Sequence, residues 1–173
     1  MAARTGIGRS GAPGPACALL CCALLLAACA GTTPAPVPPE AVVPAQSASP
    51  RAEKVIRTAR ALVGTPYKWG GYSPGTGFDC SGFIWYVYHQ NGVNLPRMSW
   101  QQLGAGQPIR RADIRPGDLV FHQVDKDGKS LHVGIVTDRG TFVHSPSSGR
   151  RVMESSLNSP FWAEHYLGAR RVL

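Results

Sequence analysis

Apolar residues first take a helical period near residue 50. Val55, Ile56, Ala59, Leu62 and Val63 fall on one face. Ser49 can cap this helix, Pro50 suits its first turn, and Gly64 can end it. A Gly- and Pro-rich loop follows from Gly64 to Gly77. The spacing predicts a second helix from about Cys80 to Asn91-Gly92, burying Phe83, Ile84, Val87 and Tyr88, and a short third one from Ser99 through Trp100 to Leu103. After that the period changes to that of strands. Asp118-Leu119-Val120-Phe121 follows the turn Pro116-Gly117. His132-Val133-Gly134-Ile135-Val136 ends at Asp138-Arg139-Gly140, and Thr141-Phe142-Val143-His144 answers it as the other arm of a hairpin. Arg151-Val152-Met153 and the stretch from Leu167 to Val172 read as further strands. Helices first and strands afterwards predict an α+β domain, with helices packed on an antiparallel sheet.

The N-terminus has a different pattern. Arg4 and Arg9 precede thirteen consecutive residues, Ala16 to Ala28, that are all apolar or Cys. Such a run makes a helix of roughly 20 Å, too short for a bilayer core of about 30 Å, and it fits a secretory signal over residues 1–28. Leu26-Ala27-Ala28-Cys29 resembles the lipobox of bacterial lipoproteins, in which the Cys is diacylated and becomes the first mature residue. Cleavage after Ala28 without a lipid remains the alternative. Ala30 follows where an Asp often marks inner-membrane retention in such lipoproteins, so the resemblance implies delivery to the outer membrane. Residues 29–50 are mostly Pro, Ala, Val, Thr and Ser with Glu40 as the only charge, a composition that cannot bury a core. They read as a tether to one domain at 51–173.

Cysteine usage sharpens this picture. Of five cysteines, Cys17, Cys21 and Cys22 leave with the signal and Cys29 takes the lipid, so Cys80 is left alone. A lone thiol in an oxidising compartment is either buried and inert or useful for its reactivity. Charge adds less. The whole chain is +8, and loss of Arg4 and Arg9 leaves 16 basic against 10 acidic residues, or +6, scattered in short pairs. Nucleic acid is not an expected partner outside the cytoplasm; an anionic surface is compatible.

In Asp79-Cys80-Ser81-Gly82-Phe83 the Cys stands where a Gly-rich loop meets a helix. Free N–H groups and the helix dipole there favour an anion, which lowers a thiol pKa and suits an oxyanion. Asp79 and Ser81 stand beside the thiol, Asp79 able to accept hydrogen bonds and orient a substrate amine. A thiol also needs a base. His132 and His144 lie twelve residues apart across the predicted hairpin and can share a face, one pairing with the thiol and the other fixing its tautomer.

Five blocks stand in order: Gly64-Thr65-Pro66-Tyr67-Lys68-Trp69-Gly70-Gly71, Asp79 to Phe83, Arg115 to Phe121, His132 to Val136, and Phe142-Val143-His144-Ser145. Together they resemble the NlpC-type cell-wall cysteine peptidases over about Ala52 to Leu173. The resemblance implies a papain-like α+β fold with N-terminal helices packed on a five- to six-stranded antiparallel sheet. It implies Cys80 as nucleophile, His132 as base, His144 as polar orienter, and Tyr67 near the thiol or substrate. It further implies a monomeric endopeptidase of peptidoglycan, cutting stem-peptide or cross-link amides, held to the membrane by its lipid and needing no cofactor or metal. One departure is His122, after Leu119-Val120-Phe121, where the family usually has a second aromatic. The rival readings are a wall-binding module without turnover, a zinc site built from Cys80, His132 and His144, and an acyltransferase or thioesterase of the same superfamily.

Overall fold

The computed structural model describes residues 47–125 and 130–173. The expected signal, Cys29 and most of the tether lie outside the described residues.

Helix α1 spans Pro50–Ala61. Ser49 Oγ accepts from the Ala52 N–H at 3.2 Å, and Pro50 sits in the first turn, where its missing N–H costs nothing. Ala52, Val55, Ile56 and Ala59 make the buried face; Val63 falls past the helix end and is exposed. Helices α2 (Cys80–Gln90) and α3 (Ser99–Leu103) stand where the sequence puts them. A two-stranded ribbon, β1 (Tyr72–Ser73) and β2 (Gly77–Phe78), precedes α2. The main strands are β3 (Gln107–Ile109), β4 (Leu119–Gln123), β5 (Leu131–Val136), β6 (Thr141–His144), β7 (Met153–Ser156) and β8 (Tyr166–Arg171). They form one antiparallel sheet in the order β3-β8-β4-β5-β6-β7, the α+β architecture read from the sequence.

Three details depart from the expected elements. The strand expected at residues 151–153 begins only at Met153, because Val152 exchanges backbone hydrogen bonds with the loop after α1: Gly64 N–H to Val152 O at 2.9 Å and Val152 N–H to Thr65 O at 2.8 Å. Strand β3 contains Pro108 and lies at the sheet edge, where a missing donor is tolerated. A short helix α4 (Pro160–Glu164) precedes β8.

Alternation along β5 divides the interior in two. Val133 and Ile135, with Val143 of β6, join Val55, Phe83, Ile84 and Val87 under α1 and α2. Val136 and Phe142 face the other way and pack with Ile114, Leu157 and Ala169 beneath Trp162 of α4. Gly134 is required on that second face, since a Cβ there would lie 2.3 Å from the Phe142 ring. Arg60 ties α1 to the far end of the sheet, meeting Glu154 of β7 at 2.9 Å and Asp138 of the β5–β6 turn at 2.8 Å. The hydrogen bond from Arg60 leads the contacts that hold the Glu154 carboxyl down to about 2.

His122 occupies the second face, directly opposite His132 in the β4–β5 register. It is only 1% exposed and its Nδ1 has no hydrogen-bond partner among the described residues. Its ring packs against Phe142 at 5.2 Å and Trp162 at 4.9 Å, so it serves as an aromatic filler. Burial pushes its pKa down to about 3. An unfolded chain protonates this histidine below about pH 6.5 while the folded one does not, so its contribution to stability falls as pH drops. His122→Phe is therefore expected to stabilise the domain by about 1 kcal/mol at neutral pH, and by more at pH 5. Urea unfolding at the two pH values checks this; an equal or negative increment at pH 5 contradicts it.

Candidate active site

The start of a helix leaves four N–H groups without intrahelical partners. At α2 two of them are taken up around Asp79: its Oδ1 accepts from Gly82 N–H at 2.6 Å, and its own N–H donates to the Gly71 carbonyl at 3.1 Å. The remaining two, on Cys80 and Ser81, act on the Cys80 sulfur and pull its pKa down. Gly82 has to be glycine, because a Cβ there would sit 2.1 Å from the Gly71 carbonyl oxygen. The Gly-rich loop thus lies directly on the first turn of α2.

The sulfur reaches β5 where the sheet is open. Strands β5 and β6 pair only at Ile135↔Val143 and Val136↔Phe142, so the first half of β5 has no partner on that side. Into this gap comes Cys80. Its Sγ lies 3.9 Å from the Leu131 carbonyl oxygen, and the nearby Val133 N–H helps to pull the thiol pKa down. Those two groups flank His132 on either side.

His132 is buried, and its Nε2 is 2.8 Å from His144 Nδ1. With Nε2 engaged, Nδ1 is the ring atom left for the thiol. His144 Nε2 in turn lies 2.9 Å from Ser155 Oγ of β7. Trp162 covers the pair, stacked on His132 at 5.4 Å and edge-on to His144 at 5.0 Å, while Phe142 stacks on His144 at 4.6 Å. Among the described residues no group of three or more His, Cys, Asp or Glu is arranged to hold a metal ion.

On the other side of the thiol stands a charged clamp. Arg97 meets Asp79 Oδ2 at 2.7 Å and Oδ1 at 3.0 Å, and donates to Ser81 Oγ at 3.0 Å and to the Gly71 carbonyl at 3.1 Å. Gly70 N–H adds a bond to Asp79 Oδ2 at 3.0 Å. Asp79 therefore holds loop, helix start and Arg97 together, and both its oxygens are engaged. The Ser81 hydroxyl belongs to the clamp, so its backbone N–H is the part facing sulfur. Tyr67 is half-buried; its phenol pKa is raised by burial and then by the nearby Cys80 and Asp79.

The electrostatics differ from what a helix start alone implies. Burial, followed by the Asp79 carboxylate, pushes the Cys80 thiol up to about 11 against the N–H groups that pull it down. Burial likewise holds His132 down to about 4. At neutral pH Cys80 is therefore a thiol and His132 a neutral imidazole.

A profile of the NlpC/P60 family matches residues 64–171, which contain this whole arrangement. The chain belongs to the NlpC/P60 family. Among its relatives, murein DD-endopeptidase MepH of Escherichia coli is 41% identical over 114 residues, covering 64% of this chain and 42% of that protein. A γ-D-glutamyl-L-lysine dipeptidyl-peptidase of Bacillus cereus is 39% identical over 126 residues, covering 72% of this chain and 38% of that one. The chain therefore spans about two fifths of the length of each. A crystal structure of an NlpC/P60 family protein from Bacillus cereus superposes with a TM-score of 0.66 at 38% identity, covering 73% of this chain and 41% of that one.

Of the residues singled out in the sequence, His132 and His144 are hydrogen-bonded to each other, Cys80 meets the backbone beside His132, and Tyr67, Asp79 and Ser81 lie near Cys80; Cys29 falls outside the described residues. Arg97, Ser155 and Trp162 escaped the sequence reading. Ser159-Pro160 is a cap and first-turn signature that could have flagged α4 and with it Trp162. Nothing local marks Ser155 or Arg97.

The clamp makes a signed prediction. Below the thiol pKa, alkylation follows the thiolate fraction. Arg97→Met leaves the Asp79 charge uncompensated and is expected to slow iodoacetamide alkylation of Cys80 by about three- to tenfold, whereas Asp79→Asn, which can still cap α2, speeds it by a similar factor. Peptide mass spectrometry over a time course measures both rates; changes of the same sign contradict the assignment.

Proposed function

We propose that this chain is a thiol endopeptidase of peptidoglycan, acting on stem-peptide or cross-link amide bonds. The observation that carries the reading is the Cys80 sulfur held in the β5–β6 gap between the backbone groups that flank His132. His132 Nδ1 takes the thiol proton as sulfur attacks the amide carbon, and the carbonyl electrons move onto oxygen. The N–H groups of Cys80 and Ser81 are poised for that oxyanion. The C–N bond then breaks, and the amine leaves with the proton from His132. Water, activated by the same imidazole, cleaves the thioester and restores the thiol. His144 holds the His132 tautomer. Substrate class is supported by the relatives, whose names specify a murein DD-endopeptidase and a γ-D-glutamyl-L-lysine peptidase.

The rest of the reading concerns place. Leu26-Ala27-Ala28-Cys29 supports a lipid-anchored envelope protein facing the periplasm from the outer membrane, with residues 29–50 as tether. One chain carries every group used above, which supports action as a monomer.

Digestion of purified peptidoglycan followed by mass spectrometry of the products tests the proposal. The chain should release peptide fragments from murein, and Cys80→Ala or His132→Ala should reduce this at least a thousandfold. Because His132 acts as a neutral base, kcat/KM should rise with pH through about 4 and stay level through neutrality. Undiminished release by Cys80→Ala, or a half-maximal rate near the ordinary histidine value of about 6.5, goes against it.

A further inference from the structure

The hydrogen-bonded chain that begins at His132 does not end at His144. His144 Nε2 lies 2.9 Å from Ser155 Oγ, and Ser155 is half-buried on β7, opposite Phe142 in register. We propose that Ser155 is a positioning residue whose hydroxyl, by accepting from His144 Nε2, supports the His132–His144 hydrogen bond in the direction that leaves the base free. This rests on the reading of Cys80 and His132 as nucleophile and base.

Proton accounting carries the inference. For Nδ1 of His132 to receive a proton from sulfur it must hold a lone pair, so in the neutral ring Nε2 carries the hydrogen and donates to His144 Nδ1. A neutral His144 that accepts at Nδ1 must carry its own hydrogen at Nε2. That hydrogen points at Ser155 Oγ, which has to accept. The reverse chain, with Ser155 donating inward, puts a hydrogen on His132 Nδ1 and blocks the base. Both directions use the same heavy-atom positions, and only the outward one, in which the hydroxyl accepts, leaves the base free.

Removing that acceptor has a distinct consequence. Ser155→Ala leaves the buried His144 Nε2 unpartnered in either neutral tautomer, but the charged state formed during attack allows only the outward direction and so loses a charge-assisted acceptor. The imidazolium that His132 becomes during attack needs the outward direction, because both its nitrogens then donate. The penalty therefore falls on the chemical step and leaves substrate binding alone. The titratable and charged groups facing His144 are His132 of β5, His122 of β4 and Arg150 of the loop before β7. Arg150 is a cation with no acceptor, His132 is already bonded to His144 Nδ1, and the partner at His144 Nε2 is the Ser155 hydroxyl.

Four variants test this on purified peptidoglycan peptides. Ser155→Ala should lower kcat about tenfold with KM unchanged, and Ser155→Thr, which restores a hydroxyl, should recover most of that loss. In a His144→Ala background, Ser155→Ala should have no further effect, since its only route to the base is gone. Ser155→Asp, an acceptor that cannot donate, should move the acid limb of kcat/KM to higher pH by stabilising the imidazolium. An unchanged kcat in Ser155→Ala, or a full tenfold loss in the His144→Ala background, overturns the proposal. If Cys80→Ala keeps its activity, the underlying catalytic reading fails. If Cys80→Ala is inactive while Ser155→Ala matches the parent in kcat and pH profile, only the role of Ser155 falls.

Discussion

The missing rungs between β5 and β6 are the constraint on which the site depends. A closed ladder would give the Leu131 carbonyl and the Val133 N–H strand partners and leave no opening for a side chain. Because pairing starts only at Ile135↔Val143, both groups are turned to the sulfur of Cys80 instead. Two glycines make this geometry reachable. Gly82 lets the loop lie on the first turn of α2, and Gly134 lets Phe142 fold across β5, where it supports the His144 ring. A β-carbon at either position would displace backbone or aromatic atoms that frame the site.

Charge around the thiol reflects two demands on one residue. Asp79 caps α2 and anchors the Gly-rich loop, yet its carboxylate disfavours a neighbouring thiolate. Arg97 offsets that penalty through a bidentate contact with the same carboxylate. The thiol stays protonated at rest, and so does not present a permanent thiolate to oxidants in the compartment expected for it. The imidazole is kept neutral by burial under Trp162, the state that the proposed base role requires. His122 lies on the same sheet face and uses its ring as packing, in a position where the family resemblance leads one to expect a larger aromatic.

Much of this was legible in the sequence. Helical periods marked α1, with Ser49-Pro50 at its start, and α2, and the change to a strand period marked β4, β5, β6 and β8. The hairpin turn at Asp138-Arg139-Gly140 brought His132 and His144 onto one face, because residues 132 and 134 share a face and Gly134 stands opposite His144. What stayed hidden was information carried by contacts distant in sequence. The Asp79–Arg97 pair spans eighteen positions with no periodic signal. Ser155 is one serine among many until β7 aligns it with Phe142. The thiol pKa was misjudged for the same reason: a helix start is visible in a sequence, whereas burial behind a loop and a carboxylate is not.

The account turns on sulfur at position 80 becoming acylated by substrate. Rapid acid quench of the protein during turnover of peptidoglycan peptides, followed by peptide mass spectrometry, reads this directly. The prediction is a stem-peptide acyl group on Cys80 in a hydroxylamine-labile thioester, present during turnover and gone when substrate is exhausted. Turnover with no adduct at that residue, or an adduct on a different side chain, contradicts it.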